Sequence, residues 1–107
     1  MITIHNLRFE KMQRAFDVRV DRESVLGNPY PLKCESDRYH VIGQYAVWLE
    51  AQLKKRGSPQ QLELARLHEL HVRYNILRLF CWCAPLYCHA ELIKARLEKM
   101  YEAHHSG

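Results

Sequence analysis

Ile76-Leu77-Arg78-Leu79-Phe80-Cys81-Trp82-Cys83-Ala84-Pro85-Leu86-Tyr87-Cys88-His89-Ala90 is the stretch on which the fold turns. Its opening run is apolar except for Arg78, the density expected of a central strand rather than a half-exposed one. Beyond the Cys-rich turn, Ile93, Leu97, Met100 and Tyr101 recur at helical spacing and predict a helix from about Cys88 to Ala103. Strand, tight turn and helix in that order form the unit of an open parallel sheet, whose ligands gather beyond the carboxyl ends of the strands. The Cys-rich turn sits at that end.

Upstream, Val41, Ile42, Tyr45, Ala46, Leu49 and Leu53 fall three or four apart and predict an amphipathic helix from Asp37 to Arg56. Ser36 or Asp37 is placed to cap it, and Lys54-Lys55-Arg56-Gly57 suits its end. Ser58-Pro59 is a cap and first-turn pair for a second helix to about Val72, with Leu64, Leu67 and Leu70 or His71 inward.

Phe16, Val18 and Val20 alternate with Asp17, Arg19 and Asp21, which predicts a strand with one apolar and one polar face. Ile2 and Ile4 alternate with Thr3 and His5 in a short extended opening, and Asn6 to Arg14 reads as a connection. Asp21 to Asp37 contains Gly27-Asn28-Pro29 and Pro31, so it continues neither helix nor central strand. A loop of that length has a function or hides a short element. The tail His104-His105-Ser106-Gly107 reads as frayed. The expected fold is one α/β domain over residues 1–107, a small open sheet, at least partly parallel, with three principal helices.

Hydrophobic residues make up 48% of the 107 and charged ones 26%, the balance of a folded chain. The net charge of +4 favours a polyanion or phosphate ligand, but no basic run exceeds Lys54-Lys55-Arg56. There is no apolar span or signal segment, so the expectation is a cytoplasmic protein with no membrane partner, whose four cysteines remain thiols, ligands or catalytic groups. A phosphate-binding Gly-rich loop, a dinucleotide fingerprint, a His-Glu-x-x-His motif and the signatures of recognition helices and RNA-binding strands are missing.

Cys81, Cys83, Cys88 and His89 fall within nine residues. They are candidate zinc ligands, because Zn²⁺ takes four S or N donors, although Cys81-x-Cys83 is shorter than the usual gap. A second reading is anion recognition with a reactive thiol. Cys88 and His89 lie at the expected helix start, where free N–H groups favour phosphate or a thiolate, making Cys88 a candidate nucleophile and His89 its proton carrier. Arg8, Arg19 and Arg22 are candidate phosphate or carboxylate partners. Plain packing is the third reading, since cysteine is among the most buried residue types, and a two-cysteine redox switch is the fourth. In Gly27-Asn28-Pro29-Tyr30, the Asn28 amide and Tyr30 phenol are candidates to flank a planar ligand; the same segment also reads as a rigid turn. His68 and His71 read as surface or interhelical residues, and Tyr45 and Trp48 as core or groove aromatics.

Asn6-Leu7-Arg8, Phe16-Asp17-Val18-Arg19-Val20-Asp21-Arg22, Leu26-Gly27-Asn28-Pro29-Tyr30 and Cys81-Trp82-Cys83-Ala84-Pro85-Leu86-Tyr87-Cys88-His89-Ala90 together resemble DUF4326, an uncharacterised domain family of bacteriophages and bacteria. The resemblance covers nearly the whole chain and implies a phage or bacterial origin and an intracellular role. It marks Asn6, Arg8, Arg22, Asn28, Pro29, Cys81, Cys83, Cys88 and His89 as motif positions; Val25-Leu26 departs from the aromatic often found before the Gly-Asn-Pro turn. The final segment alone is also similar to the end of DUF488.

The leading expectation is a domain that binds a nucleotide, nucleic acid or other phosphate-bearing ligand. Its pocket would be lined by Asn6, Arg8, Arg22, Asn28 and Tyr30, with Cys88 and His89 supplying chemistry. The alternatives are a noncatalytic domain stabilised by zinc through Cys81, Cys83, Cys88 and His89, and a host-protein binder anchored by Trp48, Tyr45 or the helical hairpin.

Overall fold

The computed structural model describes residues 1–106. In chain order it contains β1 (Ile2–Asn6), β2 (Asp17–Arg19), one 3-10 turn (Glu35–Asp37), α1 (Arg38–Leu53), α2 (Pro59–Tyr74), β3 (Leu77–Cys81) and α3 (His89–Ser106). The strands form one parallel sheet in the order β1-β3-β2, with Ile4 and Val18 both opposite Leu79. The dense apolar run is therefore the central strand.

Pleating sends Leu77, Leu79 and Cys81 to one face, where they join Tyr45, Leu49, Leu64, Leu67, Ile93 and Leu97 from the three helices in the main core. Burying a side chain of this size contributes about 1.5–3 kcal/mol, which outweighs the weak strand propensity of so short a sheet. Phe80 faces the other way and is also fully buried. His5 stacks on its ring at 5.2 Å and the Arg78 guanidinium lies 5.3 Å from the ring centre. Glu10 pairs with both His5 and Arg78, which draws the connection after β1 over this face.

Asp17 and Asp21 are buried, because their carboxylates have partners that period-two alternation does not reveal. Asp17 accepts the Gln13 and Arg14 backbone N–H groups at 2.8 and 3.0 Å; Asp21 takes Arg19 and the Trp82 indole.

The long loop after β2 does hide a short element, the 3-10 turn, which leads directly into α1. Neither Ser36 nor Asp37 caps that helix through its side chain, and it ends at Leu53, before the basic cluster. Ser58 does cap α2, accepting the Gln61 N–H at 3.1 Å, with Pro59 at the first position. Asn75 closes α2 in the left-handed conformation with its N–H on the His71 carbonyl. Residues 104–106 continue α3 rather than fray; Gly107 lies outside the described residues. Among the described residues no helix is long and apolar enough to cross a membrane.

Candidate functional site

Parallel pairing brings the carboxyl ends of all three strands to one edge. Asn6 lies opposite Cys81, and β2 runs out beside β3 into Asp21 and Arg22. A cavity of about 390 Å³ opens there, walled by the segments after β2 and β3, the start of α1 and the start of α3. It joins Arg22, Asn28 and Tyr30 to Trp82, Cys83, Cys88 and His89, with Leu32, Val41 and Ile42 as an apolar wall.

Two of the expected ligand residues lie elsewhere. Asn6 is a brace: its Nδ2 donates to the Ala84 and Trp82 carbonyls at 2.8 and 3.2 Å, and its Oδ1 accepts the Arg8 N–H. Arg8 is exposed, does not line the cavity, and lies against Phe9. Asn28 and Tyr30 do line it. The Asn28 Oδ1 accepts the Tyr30 N–H at 2.9 Å, which fixes the turn and leaves the amide Nδ2 as a donor. Arg22 makes one long contact, to the Tyr30 carbonyl at 3.4 Å, and among the described residues no carboxylate pairs with it.

The thiols are not equivalent. Cys88, the candidate nucleophile at the helix start, is only 3% exposed. Hydrogen bonds to Cys81 and Cys83, together with burial, push it far above the ordinary thiol range, so Cys88 keeps its proton. Its Sγ lies 3.8 Å from that of Cys81, to which it donates. That bond also draws the Cys81 thiol down, but Cys81 is sealed from solvent, lacks a cation, and donates to the His5 carbonyl at 3.6 Å. Cys83 alone is half-buried on the cavity wall. The neighbouring Cys88 thiol draws the Cys83 thiol down to about 6, with the Arg38 guanidinium helping and burial opposing.

His89 does not act as the expected proton carrier through Nε2, because that atom faces the Val20 carbonyl. Burial pushes the imidazole below its ordinary range, so the ring is neutral, with Nε2–H donating and Nδ1 left as the acceptor. Tyr45 packs edge-on against the ring at 5.2 Å. For a zinc site this removes the His89 Nε2 as a donor. Among the described residues no group of three or more Cys, His, Asp or Glu side chains is arranged to hold a metal ion.

Tyr45 is fully buried with its hydroxyl on the Leu26 carbonyl at 2.7 Å, and Trp48 packs against the core, so neither is the exposed anchor proposed for a host protein. His71 is buried against Tyr101, in keeping with an interhelical role.

Sequence reasoning missed Arg38 and the part played by Trp82 and Asp21. Arg38 donates to Glu35 through two nitrogens at 2.8 Å and to the Tyr87 carbonyl at 2.9 Å, tying α1 to the Cys-rich turn. A signal was present, since a cation at the first residue of a helix opposes the dipole and calls for a specific partner. Trp82 is 57% exposed, yet its Nε1 is held by the buried Asp21 carboxylate at 2.8 Å. A large aromatic face is thus fixed in position at the cavity mouth.

No curated protein and no solved structure matches the chain. The family model described as "Domain of unknown function (DUF4326)" matches residues 4–99, from β1 into α3, and the chain belongs to that family.

Proposed function

We propose that this domain binds a nucleotide or a closely similar ligand, a planar ring carrying phosphate, in the cavity at the carboxyl edge of the sheet. The observation that carries the reading is the pairing, in one cavity, of an immobilised exposed indole with an arginine that lacks a carboxylate partner among the described residues. The ring would stack on Trp82 against Leu32, Val41 and Ile42, while Arg22 and the Asn28 amide would take the phosphate. A volume of about 390 Å³ falls within the range of small-ligand pockets. It suits one mononucleotide better than a length of duplex. The free state of all four cysteines agrees with a reducing, cytoplasmic setting.

Titration with purine and pyrimidine mononucleotides, followed by Trp82 fluorescence in a Trp48→Phe background, tests it. Saturable quenching is expected, with Arg22→Ala weakening binding about tenfold or more through loss of a charged hydrogen bond. No saturable response with any nucleotide, or equal binding by Arg22→Ala, would sink the proposal.

A further inference from the structure

We propose that Thr3, His5 and Glu10 form a second site, an acyl-transfer relay on the sheet face turned away from the helices, in which the Thr3 hydroxyl attacks short carboxylic esters. It is separate from the cavity and does not depend on a ligand there.

Three placements support it. Thr3 and His5 lie two apart on β1, so their side chains leave the same face, beside Arg78 and Phe80 of β3. The Thr3 hydroxyl meets the His5 Nε2 at 2.7 Å, and the His5 Nδ1 meets the Glu10 Oε2 at 2.7 Å. A carboxylate only accepts, so Nδ1 carries the proton and Nε2 is left to accept from the hydroxyl. Nucleophile, base and orienting acid thus stand in order, a constellation recognised by geometry and not by position in the chain. Second, the relay is braced. His5 stacks on the buried Phe80 ring, and Arg78 takes the other oxygen of Glu10.

The third placement is the sheet edge. The Met1 carbonyl accepts the Leu77 N–H and the Leu7 N–H donates to the Cys81 carbonyl, so the odd-numbered residues of β1 bond to β3. The Ile4 N–H therefore points off the free edge. An amide directly after the nucleophile is a position from which acyl-transfer sites stabilise the oxyanion. Thr3 and His5 are half-buried and Glu10 is exposed, which leaves the hydroxyl within reach of a small ester.

In the first step the Thr3 oxygen supplies the electron pair of a new bond to the ester carbonyl carbon, its proton passes to the His5 Nε2, and the carbonyl oxygen becomes the anion that the Ile4 N–H faces. Collapse breaks the bond to the alcohol oxygen, which leaves with the proton from Nε2. Water then attacks the acyl carbon and gives a proton to Nε2. The Thr3 oxygen departs, recovers that proton, and the carboxylic acid is released. Thr3 and His5 are the catalytic residues; Glu10 and Arg78 are positioning residues.

Hydrolysis of p-nitrophenyl acetate near neutral pH tests the inference in a Cys34→Ser background, which removes the exposed thiol. Saturable turnover is expected, with the acetyl group found on Thr3 by peptide mass spectrometry of acid-quenched samples. Thr3→Val keeps a β-branched side chain on the strand and should lower kcat/KM about a hundredfold or more, as should His5→Gln. Thr3→Ser should remain active. Glu10→Gln should lower kcat about tenfold or more with KM unchanged, because the carboxylate orients the base without touching the ester.

Turnover no faster than that of free imidazole at the same concentration, acetyl on His5 or a cysteine instead of Thr3, undiminished activity in Thr3→Val, or an unchanged kcat in Glu10→Gln would overturn the assignment. The residue acylated in the chain with Thr3 intact decides the matter whether or not the other variants fold.

Discussion

The Asp21 carboxylate, buried after β2, accepts the indole N–H of Trp82 at 2.8 Å and so fastens the Cys-rich turn to the neighbouring strand. It also takes Arg19, and these partners hold the acid below the usual carboxylate range although burial alone would raise it. A folded-state value that is depressed makes the stabilisation complete above the ordinary Asp range and lost as pH falls through the lower folded value.

Asp21→Asn should therefore cost about 1–3 kcal/mol at pH 7, the range for a hydrogen bond to a charged group in a buried setting. In Asp21→Ala, which removes the acceptor altogether, Trp82 should also become more accessible to acrylamide. Urea unfolding and quenching in a Trp48→Phe background read the two effects. An unchanged midpoint would show that the indole holds itself in place by packing.

Asn6 braces the same turn from the other side. Removing its amide in Asn6→Ala leaves the Ala84 and Trp82 carbonyls without that donor, at about 1–3 kcal/mol. Asn6→Asp should be worse than Asn6→Ala, because a carboxylate would face two carbonyl oxygens. Hydrogen exchange at residues 82–88 should rise in both variants. Equal stability of the two would argue against a donor role.

Gly27 tests how closely the binding loop folds back on β2. A Cβ there would meet the Asp21 carbonyl oxygen at 2.3 Å and the Arg22 Cα at 2.7 Å, and backbone atoms cannot swing aside. Gly27→Ala should cost about 3 kcal/mol or more, the upper end for overpacking, and displace Arg22 from the cavity. Gly43, inside α1 with open space around it, is the control: Gly43→Ala should stabilise by about 0.5–1 kcal/mol. A tolerated Gly27→Ala, judged by thermal unfolding, would mean that the loop sits farther from β2 than described.

Much of this architecture was legible because burial has a period. Leu77, Leu79 and Phe80 announce a central strand, Ser58-Pro59 announces a helix start, and helical spacing places Leu64, Leu67, Ile93 and Leu97 inward. The site was legible only as a neighbourhood. How far each of three sulfurs is buried depends on the path of a turn, and a string of residue types does not encode that path, so the sequence points to Cys88, which is buried, where Cys83 is the more accessible of the two on the cavity. Asp21 and Asn6 were misread for a related reason: their partners lie 61 and 76 to 78 residues away. A polar residue that a distant segment satisfies cannot be told from a solvated one by alternation alone.

At the opposite edge of the molecule His71 is 2% exposed, with its ring stacked 4.0 Å from that of Tyr101. Burial pushes its imidazole down to about 4, so the folded protein rejects a proton that the unfolded chain accepts below its ordinary value near 6.5. Unfolding is then coupled to proton uptake, and stability falls as pH drops from about 6.5 toward 4, by at most about 1.4 kcal/mol per pH unit for each proton. His89, also lowered by burial, contributes in the same direction. His71→Leu should remove one of these two contributions, making the loss of urea midpoint between pH 6.5 and 4.5 shallower than in the unsubstituted protein. Parallel curves would mean that His71 takes up its proton without unfolding, and that its environment is wetter than the packing against Tyr101 implies.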